Sequence, residues 1–264
     1  MINSGEIDEL LVKLKLIELR DSNKQIQLYG KTETITAVGF KEQEYGVLPQ
    51  GTNLLSVVAS ARNGDLAQLE TLANTVGITK AGVYDKADVY INGIGFSIKS
   101  LRAAPPALVN HTARDGWERA CSYTKQNITE LDEIINEYWD KRKKGIISED
   151  VRNNNPLSPF RNHKDYLKKV LNYFLFTGSG SRVSPSPADY ILEFDNPLEV
   201  ETWSVYKDEY LDKFWDKLIF SLRSSKGMGN YPNIKDSQKK TSMAKWTVLY
   251  EGAYKGALHV RVGK

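Results

Sequence analysis

The chain has 264 residues, of which 41% are hydrophobic and 26% are charged, and this composition is ordinary for a globular protein. Its length suffices for one large domain or two modest ones, each able to bury a core. The longest mostly apolar run, Leu54 to Ala61, is far shorter than the roughly 20 residues that cross a bilayer. Acidic residues near the start also differ from the basic start of a signal peptide. We therefore expect no membrane span and a cytoplasmic location.

Charge and metal-binding residue types narrow the classes of function. The net charge of +3 permits nucleic-acid binding without requiring it. Cys121 is the single cysteine, which excludes an internal disulfide and a cysteine-rich zinc site, and its place on the apolar side of a predicted helix indicates a buried thiol. The histidines, His111, His163 and His259, are scattered without metal-ligand spacing, so a histidine-metal nuclease is disfavoured.

Hydrophobic spacing and turn residues predict an alternation of helices and strands along the chain. The first half is predicted to contain a helix over residues 6–20, short strands or a hairpin within 25–40, helices over 53–61 and 65–73, a hairpin over 87–99 with its turn at Asn92-Gly93, and a loop over 100–106. The second half is predicted to contain helices that begin at Thr112 and Thr129, a linker or long loop over 148–162, a helix over 165–176, a loop over 177–187, a strand over 189–194, a helix over 205–222 and a β-pair within 245–262.

This order of elements predicts an α/β fold with a mixed central β-sheet flanked by helices, followed by a smaller C-terminal α+β region. The polar stretch over 148–162, which holds two prolines, indicates a boundary near residue 150. We therefore expect a first region over residues 1–150 and a second over 151–264, and leave open that both pack as one continuous domain.

Two charged residues occupy the arms of the hairpin predicted over 87–99. Asp88 begins its first strand and Lys99 lies on the second, with Ser97 on the same face as Lys99 because side chains alternate along a strand. A carboxylate can hold Mg²⁺ beside a scissile phosphate, a cation can stabilise the attacking water, and the Ile98 carbonyl offers a further ligand. The spacing alone is weak evidence, because many surface hairpins carry the same two charges merely solvated.

The segment KADVYINGIGFSIKSLRAAPPALVNHT resembles the active-site segment of type II restriction endonucleases of the PD-(D/E)xK nuclease superfamily, from Lys86 to about Trp117. The resemblance implies a restriction-endonuclease-like core and Mg²⁺-dependent cleavage of double-stranded DNA that leaves 5′-phosphate and 3′-hydroxyl ends. It also implies that Asp88 binds the metal and that Lys99 is the catalytic lysine. Residues 1–150 then form the catalytic core and residues 151–264 the DNA-recognition region.

The segment departs from the family pattern at two positions. Ala87 replaces a proline that only shapes the backbone, whereas Ser97 stands where the second carboxylate usually lies. Glu118, or less plausibly Asp115, on the following helix can supply that carboxylate, and Glu70 on the preceding helix is another candidate. The alternative is that these acids are merely solvated. The expected ligands of Mg²⁺ are the Asp88 carboxylate, the Ile98 carbonyl and the Glu118 carboxylate.

Basic and amide side chains suited to DNA occur near the hairpin and towards the C-terminus. Lysine suits phosphate contacts, while arginine and amides suit base edges in the major groove. A solvated basic surface explains the same residues. We expect DNA contacts from Arg102, Arg114, Arg182, Arg223, Lys226, Asn230, Gln238, Lys239 and Lys240.

The resemblance also implies partners. Many related enzymes cut both strands as homodimers, each subunit reading half of a palindrome, and function beside a DNA methyltransferase. Two other functions stay open at this point. One is a repair or recombination nuclease that recognises DNA structure, and the other is a DNA-binding protein without catalysis, which Ser97 keeps open because an acidic ligand is missing.

Overall fold

The computed structural model describes residues 4–102, 107–224 and 231–263. The chain divides into two units, one formed by Met1–Ala104 with Ser184–Asp208 and the other by Pro105–Val183 with Glu209–Lys264. Both contain helices and β-sheet, which confirms the α/β class. The division differs from the boundary predicted near residue 150, because the chain leaves the first unit after residue 104 and returns to it at Ser184.

The first unit is built on a mixed six-stranded sheet. Its helices are α1 (Ser4–Asp21), α2 (Leu54–Arg62) and α3 (Ala67–Thr75). Its strands are β1 (Gln25–Leu28), β2 (Lys31–Thr34), β3 (Val38–Phe40), β4 (Gln43–Glu44), β5 (Val89–Ile91), β6 (Ile94–Ser100), β9 (Tyr190–Phe194) and β10 (Trp203–Tyr206). The sheet order is β10-β9-β6-β5-β3-β4, with β6 and β9 parallel and the other pairs antiparallel, while β1 and β2 form a separate hairpin.

The core of the first unit joins helix α1 to the central strands. The predicted helix over 6–20 is confirmed, and its apolar stripe, including Leu11 and Leu14, is buried in one cluster with Phe96 and Ile98 of β6. Burying such side chains contributes about 1.5–3 kcal/mol each. This packing fixes α1 beside the hairpin that carries the candidate site.

The predicted hairpin over 87–99 is confirmed as β5 and β6. Asn92 and Gly93 both have positive φ, +50° and +81°, as a type I′ turn requires. The Asn92 side chain also binds the segment before β3: its oxygen accepts from the Thr36 and Ala37 N–H groups, and its nitrogen donates to the Thr34 carbonyl. The turn is therefore held by the segment between β2 and β3 as well as by its own two strands.

The second unit has an antiparallel four-stranded sheet in the order β7-β14-β11-β8 and a hairpin of β12 and β13. Its strands are β7 (Ala107–Thr112), β8 (Val151–Arg152), β11 (Leu218–Arg223), β12 (Val248–Tyr250), β13 (Ala253–Lys255) and β14 (Ala257–Val262). Its helices are α4 (Arg114–Tyr123), α5 (Ile128–Lys143), α6 (Lys164–Asn172) and α7 (Ser237–Ala244). Across the three described stretches of the chain, every helix is too short or too polar to cross a bilayer.

The prediction of a helix over residues 205–222 is wrong. Strand β10 ends at Tyr206, a 3₁₀ segment spans Asp208–Lys217, and β11 begins at Leu218. Strand β11 pairs with strands on both sides, and its apolar run LIFSL is buried throughout. A short, continuously apolar run fits a buried strand and a helix equally well, so periodicity could not distinguish them.

The polar stretch over 148–162 was predicted as a linker or long loop, but it packs within the second unit. Phe160 is fully buried and stacks on Phe220 with ring centroids 4.2 Å apart. The buried Asn153 donates its side-chain N–H to the Trp215 carbonyl at 3.0 Å. The stretch therefore contributes to the core despite its polar composition.

We predict that Phe160→Ala lowers the free energy of unfolding by about 3–5 kcal/mol, because it removes a buried, stacked ring. Leu157→Ala is the matched control, since Leu157 lies in the same stretch but is 48% exposed. Its effect should stay within about 0.5 kcal/mol. Urea unfolding followed by tryptophan fluorescence measures both. Equal, small effects of the two substitutions would contradict the packing described.

Candidate functional site

The candidate site begins with three polar side chains on β5 and β6. Val89 pairs with Phe96, and the preceding residue, Asp88, donates its N–H to the Phe96 carbonyl at 2.7 Å, which places Asp88 beside Ser97. The Ser97 hydroxyl donates to Asp88 Oδ2 at 3.2 Å, and Lys99 Nζ donates to Ser97 Oγ at 2.8 Å. The predicted convergence of Asp88 and Lys99 across the hairpin is confirmed, with Ser97 as the bridge.

The backbone of Ile98 also faces Asp88. Its N–H donates to Asp88 Oδ2 at 2.7 Å, which fixes the carboxylate at the start of β5. In an extended strand the N–H and the C=O of one residue point to the same side, so the Ile98 carbonyl is directed to the Asp88 side as well. Asp88 and Lys99 are half-buried and keep access to solvent. The hairpin thus offers a carboxylate, a carbonyl and an ammonium group together.

Helix α1 brings a second carboxylate, Glu9, into the electrostatic environment of the hairpin. Lys13, one turn later on the helix, is fully buried and donates to Glu9 Oε1 at 2.6 Å. Burial raises the pKa of Glu9 although Lys13 opposes the shift, and the negative charge of Asp88 raises the pKa further. Glu9 was missed in the sequence, where it looks like one more polar residue of an amphipathic helix.

Two further charged residues of the first unit, Lys86 and Glu193, lie near Lys99. Burial and then the positive charge of Lys99 lower the pKa of Lys86 to about 8, while Asp88 opposes the shift. Glu193 on β9 is directly opposite Lys99 in the parallel pairing and is 2% exposed. Directly paired residues present their side chains on the same face of a sheet. Neither residue was singled out in the sequence.

Glu70, a predicted helper acid, is exposed on α3. It lines an open cavity of about 290 Å³ together with Glu9 of α1. The remaining lining residues are Glu6, Leu10, Ala73, Asn74, Ile78 and Lys80. Glu9 therefore lines an open cavity on one side and is paired with the buried Lys13 on α1.

Glu118, the other predicted helper acid, belongs to the second unit. Its carboxylate accepts from Ser242 Oγ at 2.9 Å and lies 3.1 Å from Arg114 Nη1. Arg114 is 2% exposed and forms a bidentate ion pair with Asp132 at 2.7 and 2.8 Å. The guanidinium of Arg114 is thus held by internal partners, and its contact with DNA stays a prediction. A catalytic role for Glu118 stays a prediction.

The other residues predicted to contact DNA occupy varied environments. Arg102 is ion-paired with the buried Asp8, and Arg223 donates to Asp150 at 2.7 Å. Arg182, Gln238 and Lys239 are exposed, Lys240 is half-buried, and Lys226 and Asn230 lie outside the described residues. Lys239 lies 3.6 Å from the Asp115 carboxylate, and the DNA contacts of all these residues stay a prediction.

Two of the histidines that are scattered in the sequence meet in the second unit. His111 and His259 stack with ring centroids 4.5 Å apart. Burial lowers the pKa of His259 to about 4, and the charges of His111, Arg223 and Arg261 act in the same direction. Among the described residues, the two histidines belong to no group of three or more side chains that could hold a metal ion.

The donor set of the hairpin fits a Mg²⁺ ion bound through few protein ligands. Within the described residues, no three histidine, cysteine, aspartate or glutamate side chains are grouped as ligands of a metal ion. Mg²⁺ does not need such a group, since it usually keeps several waters and binds one or two carboxylates plus substrate phosphates. Asp88 with the Ile98 carbonyl satisfies that requirement, and Glu9 is an additional acid nearby.

Comparison with known proteins gave no match: no family model, no curated protein and no solved structure is similar to this chain at a significant level. The function is therefore inferred from the residues and the geometry of the site.

We predict that Glu9→Leu lowers the free energy of unfolding by about 3 kcal/mol, because it leaves the buried Lys13 ammonium unpaired. The double variant Glu9→Leu with Lys13→Met should recover most of this loss, since it replaces the ion pair by apolar groups of similar volume. Urea unfolding of the single and double variants measures the difference. A double variant as unstable as Glu9→Leu would contradict the pairing.

Proposed function

We propose that this chain is a Mg²⁺-dependent endonuclease that cleaves double-stranded DNA at specific sequences, as type II restriction enzymes do. The observation that carries the proposal is the hydrogen-bonded series from Asp88 through Ser97 to Lys99 on neighbouring antiparallel strands. The resemblance of this segment to PD-(D/E)xK nucleases assigns the same two residues to metal binding and catalysis. A restriction-endonuclease-like core in the first unit, where the mixed six-stranded sheet includes the hairpin, is part of this proposal.

Asp88 and the Ile98 carbonyl would hold Mg²⁺, with Glu9 as the helper acid in place of the missing carboxylate at Ser97. When bound, the ion neutralises charge on the phosphate and lowers the pKa of a bound water. Glu9 is favoured over Glu118 because it lies on α1, whose apolar side chains pack in one cluster with those of β6, the strand that carries Ser97 and Lys99. Glu193, buried opposite Lys99, is the next candidate.

The chain's own cations would guide the attacking water. The Lys99 ammonium group would position this water and stabilise the negative charge of the forming hydroxide, with the proton released to solvent, while its bond to Ser97 restricts the ammonium group to one position. Lys86 adds a second positive charge close to Lys99 and Asp88, where charge develops on the phosphate. In-line displacement of the 3′ oxygen would leave 5′-phosphate and 3′-hydroxyl ends.

Sequence specificity would come from surfaces outside the hairpin. Helix α7 carries the exposed Gln238 and Lys239, which suit a base edge and a phosphate respectively. A homodimer would cut both strands of a palindrome, each subunit acting on one half, and a partner methyltransferase would protect the host DNA; a monomer is the alternative.

A DNA-binding protein without catalysis is the second candidate function. It is favoured by Ser97, which replaces an acidic ligand, and by the scarcity of grouped acids in the part of the chain that the structure describes. Such a protein would bind DNA but leave it intact in both Mg²⁺ and Mn²⁺.

Digestion of unmethylated phage DNA with the purified protein distinguishes the two functions. Sharp bands in Mg²⁺ that disappear in EDTA are expected for the endonuclease. Specific binding with intact DNA in Mg²⁺ and Mn²⁺ would support the DNA-binding protein instead.

We predict that Asp88→Asn and Lys99→Met each reduce the cleavage rate by about 10²–10⁴-fold, because each removes a group that acts on the reacting atoms. Binding of the same DNA, measured by gel shift in Ca²⁺, should be retained. Normal cleavage by either variant would remove this site from consideration.

The same assay identifies the helper acid. Glu9→Gln should reduce cleavage by about 10–100-fold, as expected for loss of a group that tunes a metal site. Glu70→Gln and Glu118→Gln are matched controls and should cleave at close to the wild-type rate. A loss confined to Glu70→Gln or Glu118→Gln would assign the role to that acid instead.

A further inference from the structure

A tight turn shortly before the proposed site presents an apolar side chain to solvent. Val83 is 96% exposed, and the next residue, Tyr84, is 43% exposed. Turns favour glycine, proline, asparagine, aspartate and serine, whereas valine is β-branched and suits strands. Isolated apolar side chains are common on protein surfaces, so the inference depends on how this turn is held and where it lies.

The turn is held by two hydrogen bonds between its ends. The Asp85 N–H donates to the Gly82 carbonyl at 2.9 Å, and Asp85 Oδ2 accepts from the Gly82 N–H at 2.7 Å. The Asp85 side chain is 6% exposed and lies 3.4 Å from Lys41 Nζ. Val83 is therefore displayed from a closed turn, and a contact made by such a preorganised element costs little conformational entropy.

The chain between the turn and Asp88 is short and is held in place. The N–H groups of Lys86 and Ala87 both donate to the Ser186 carbonyl, at 2.9 and 3.0 Å. Asp88 follows Val83 by five residues, so their Cα atoms are at most about 18 Å apart. Base pairs of DNA stack at about 3.4 Å. Val83 is therefore within reach of about five base pairs from a phosphate bound at Asp88.

Ammonium groups lie near the apolar tip of the turn. The Lys80 side chain is 74% exposed and pairs with Glu6, and the Lys41 side chain beside Asp85 is 47% exposed. Exposed ion pairs contribute little to stability, so either lysine can exchange its acid for a phosphate at small cost. Lysine contacts to phosphates position a protein on DNA, while contacts to base edges read the sequence. An apolar tip among lysines suits a DNA groove better than an apolar protein surface.

We propose that Val83 contacts the C5-methyl group of a thymine within about five base pairs of the cleaved bond and contributes to sequence specificity. This inference rests on the proposed function, because a scissile phosphate at Asp88 determines which base pairs Val83 reaches. The thymine methyl is the apolar group that base edges present in the major groove, and apolar side chains recognise it by contact.

Val83→Ser tests the proposal with DNA duplexes in which each thymine near the cleaved bond is replaced in turn by deoxyuridine, which lacks only the methyl group. At one position the wild type should lose about fivefold in kcat/KM, as expected for loss of one buried methyl group. Val83→Ser should cleave the thymine and deoxyuridine duplexes equally well at that position. Its kcat and its Tm should match the wild type, because Val83 is exposed and takes no part in the chemistry.

Val47→Ser is the matched control, since Val47 lies in the same unit and is 72% exposed. This variant should keep the wild-type preference for thymine at every position. A Val83→Ser variant that keeps this preference, or a wild type indifferent to deoxyuridine throughout, would overturn the inference and leave the proposed function intact. A wild type that does not cleave DNA in Mg²⁺ would overturn both.

Discussion

The two-residue turn at Asn92-Gly93 fixes the pairing of β5 with β6, and the proposed site depends on that pairing. Because side chains alternate along a strand, a slip of one residue would turn Ser97 and Lys99 to the opposite face from Asp88. The turn geometry and the bonds from the Asn92 side chain to the preceding strand segment both hold the register. A short local element thereby determines whether the acid and the lysine meet.

The first unit buries polar groups in its core, and we relate this unfavourable burial to the proposed site. Leu, Val and Ile form most of the core around α1, yet Lys13 is fully buried there and is paired with Glu9. Buried ion pairs contribute little net stability compared with apolar side chains of similar volume. Groups whose pKa values are displaced by burial and charge are concentrated at functional sites. Glu9 is such a group, because burial raises its pKa, and its ion pair with Lys13 holds it on the helix that packs on β6.

The sequence predicted the hairpin and the meeting of Asp88 with Lys99 because their signals are local. A turn dipeptide and alternating residues specify both strands without any information about the rest of the chain. Glu9 could not be identified in this way, since only the packing of α1 on the sheet brings it near Asp88. Its one signal was a lysine one turn later within an apolar helical stripe, a position that an ordinary surface lysine would avoid.

The division of the chain into two units was harder to predict, because it depends on contacts between residues that are far apart in the sequence. The chain returns to the first unit at Ser184 to add β9 beside β6, and composition does not record such long-range pairing. The polar stretch that suggested a boundary instead packs Phe160 into the second unit. Similarly, strand β11 shows no regular alternation of apolar and polar residues, because the side chains on both of its faces are buried.

The most direct test of the account is the position of a bound divalent cation. Crystals of the protein soaked in Mn²⁺ and measured at the manganese absorption edge give this position from anomalous scattering. The account predicts an anomalous peak at the Asp88 carboxylate, within coordination distance of the Ile98 carbonyl. A peak elsewhere, with no density at Asp88, would contradict it.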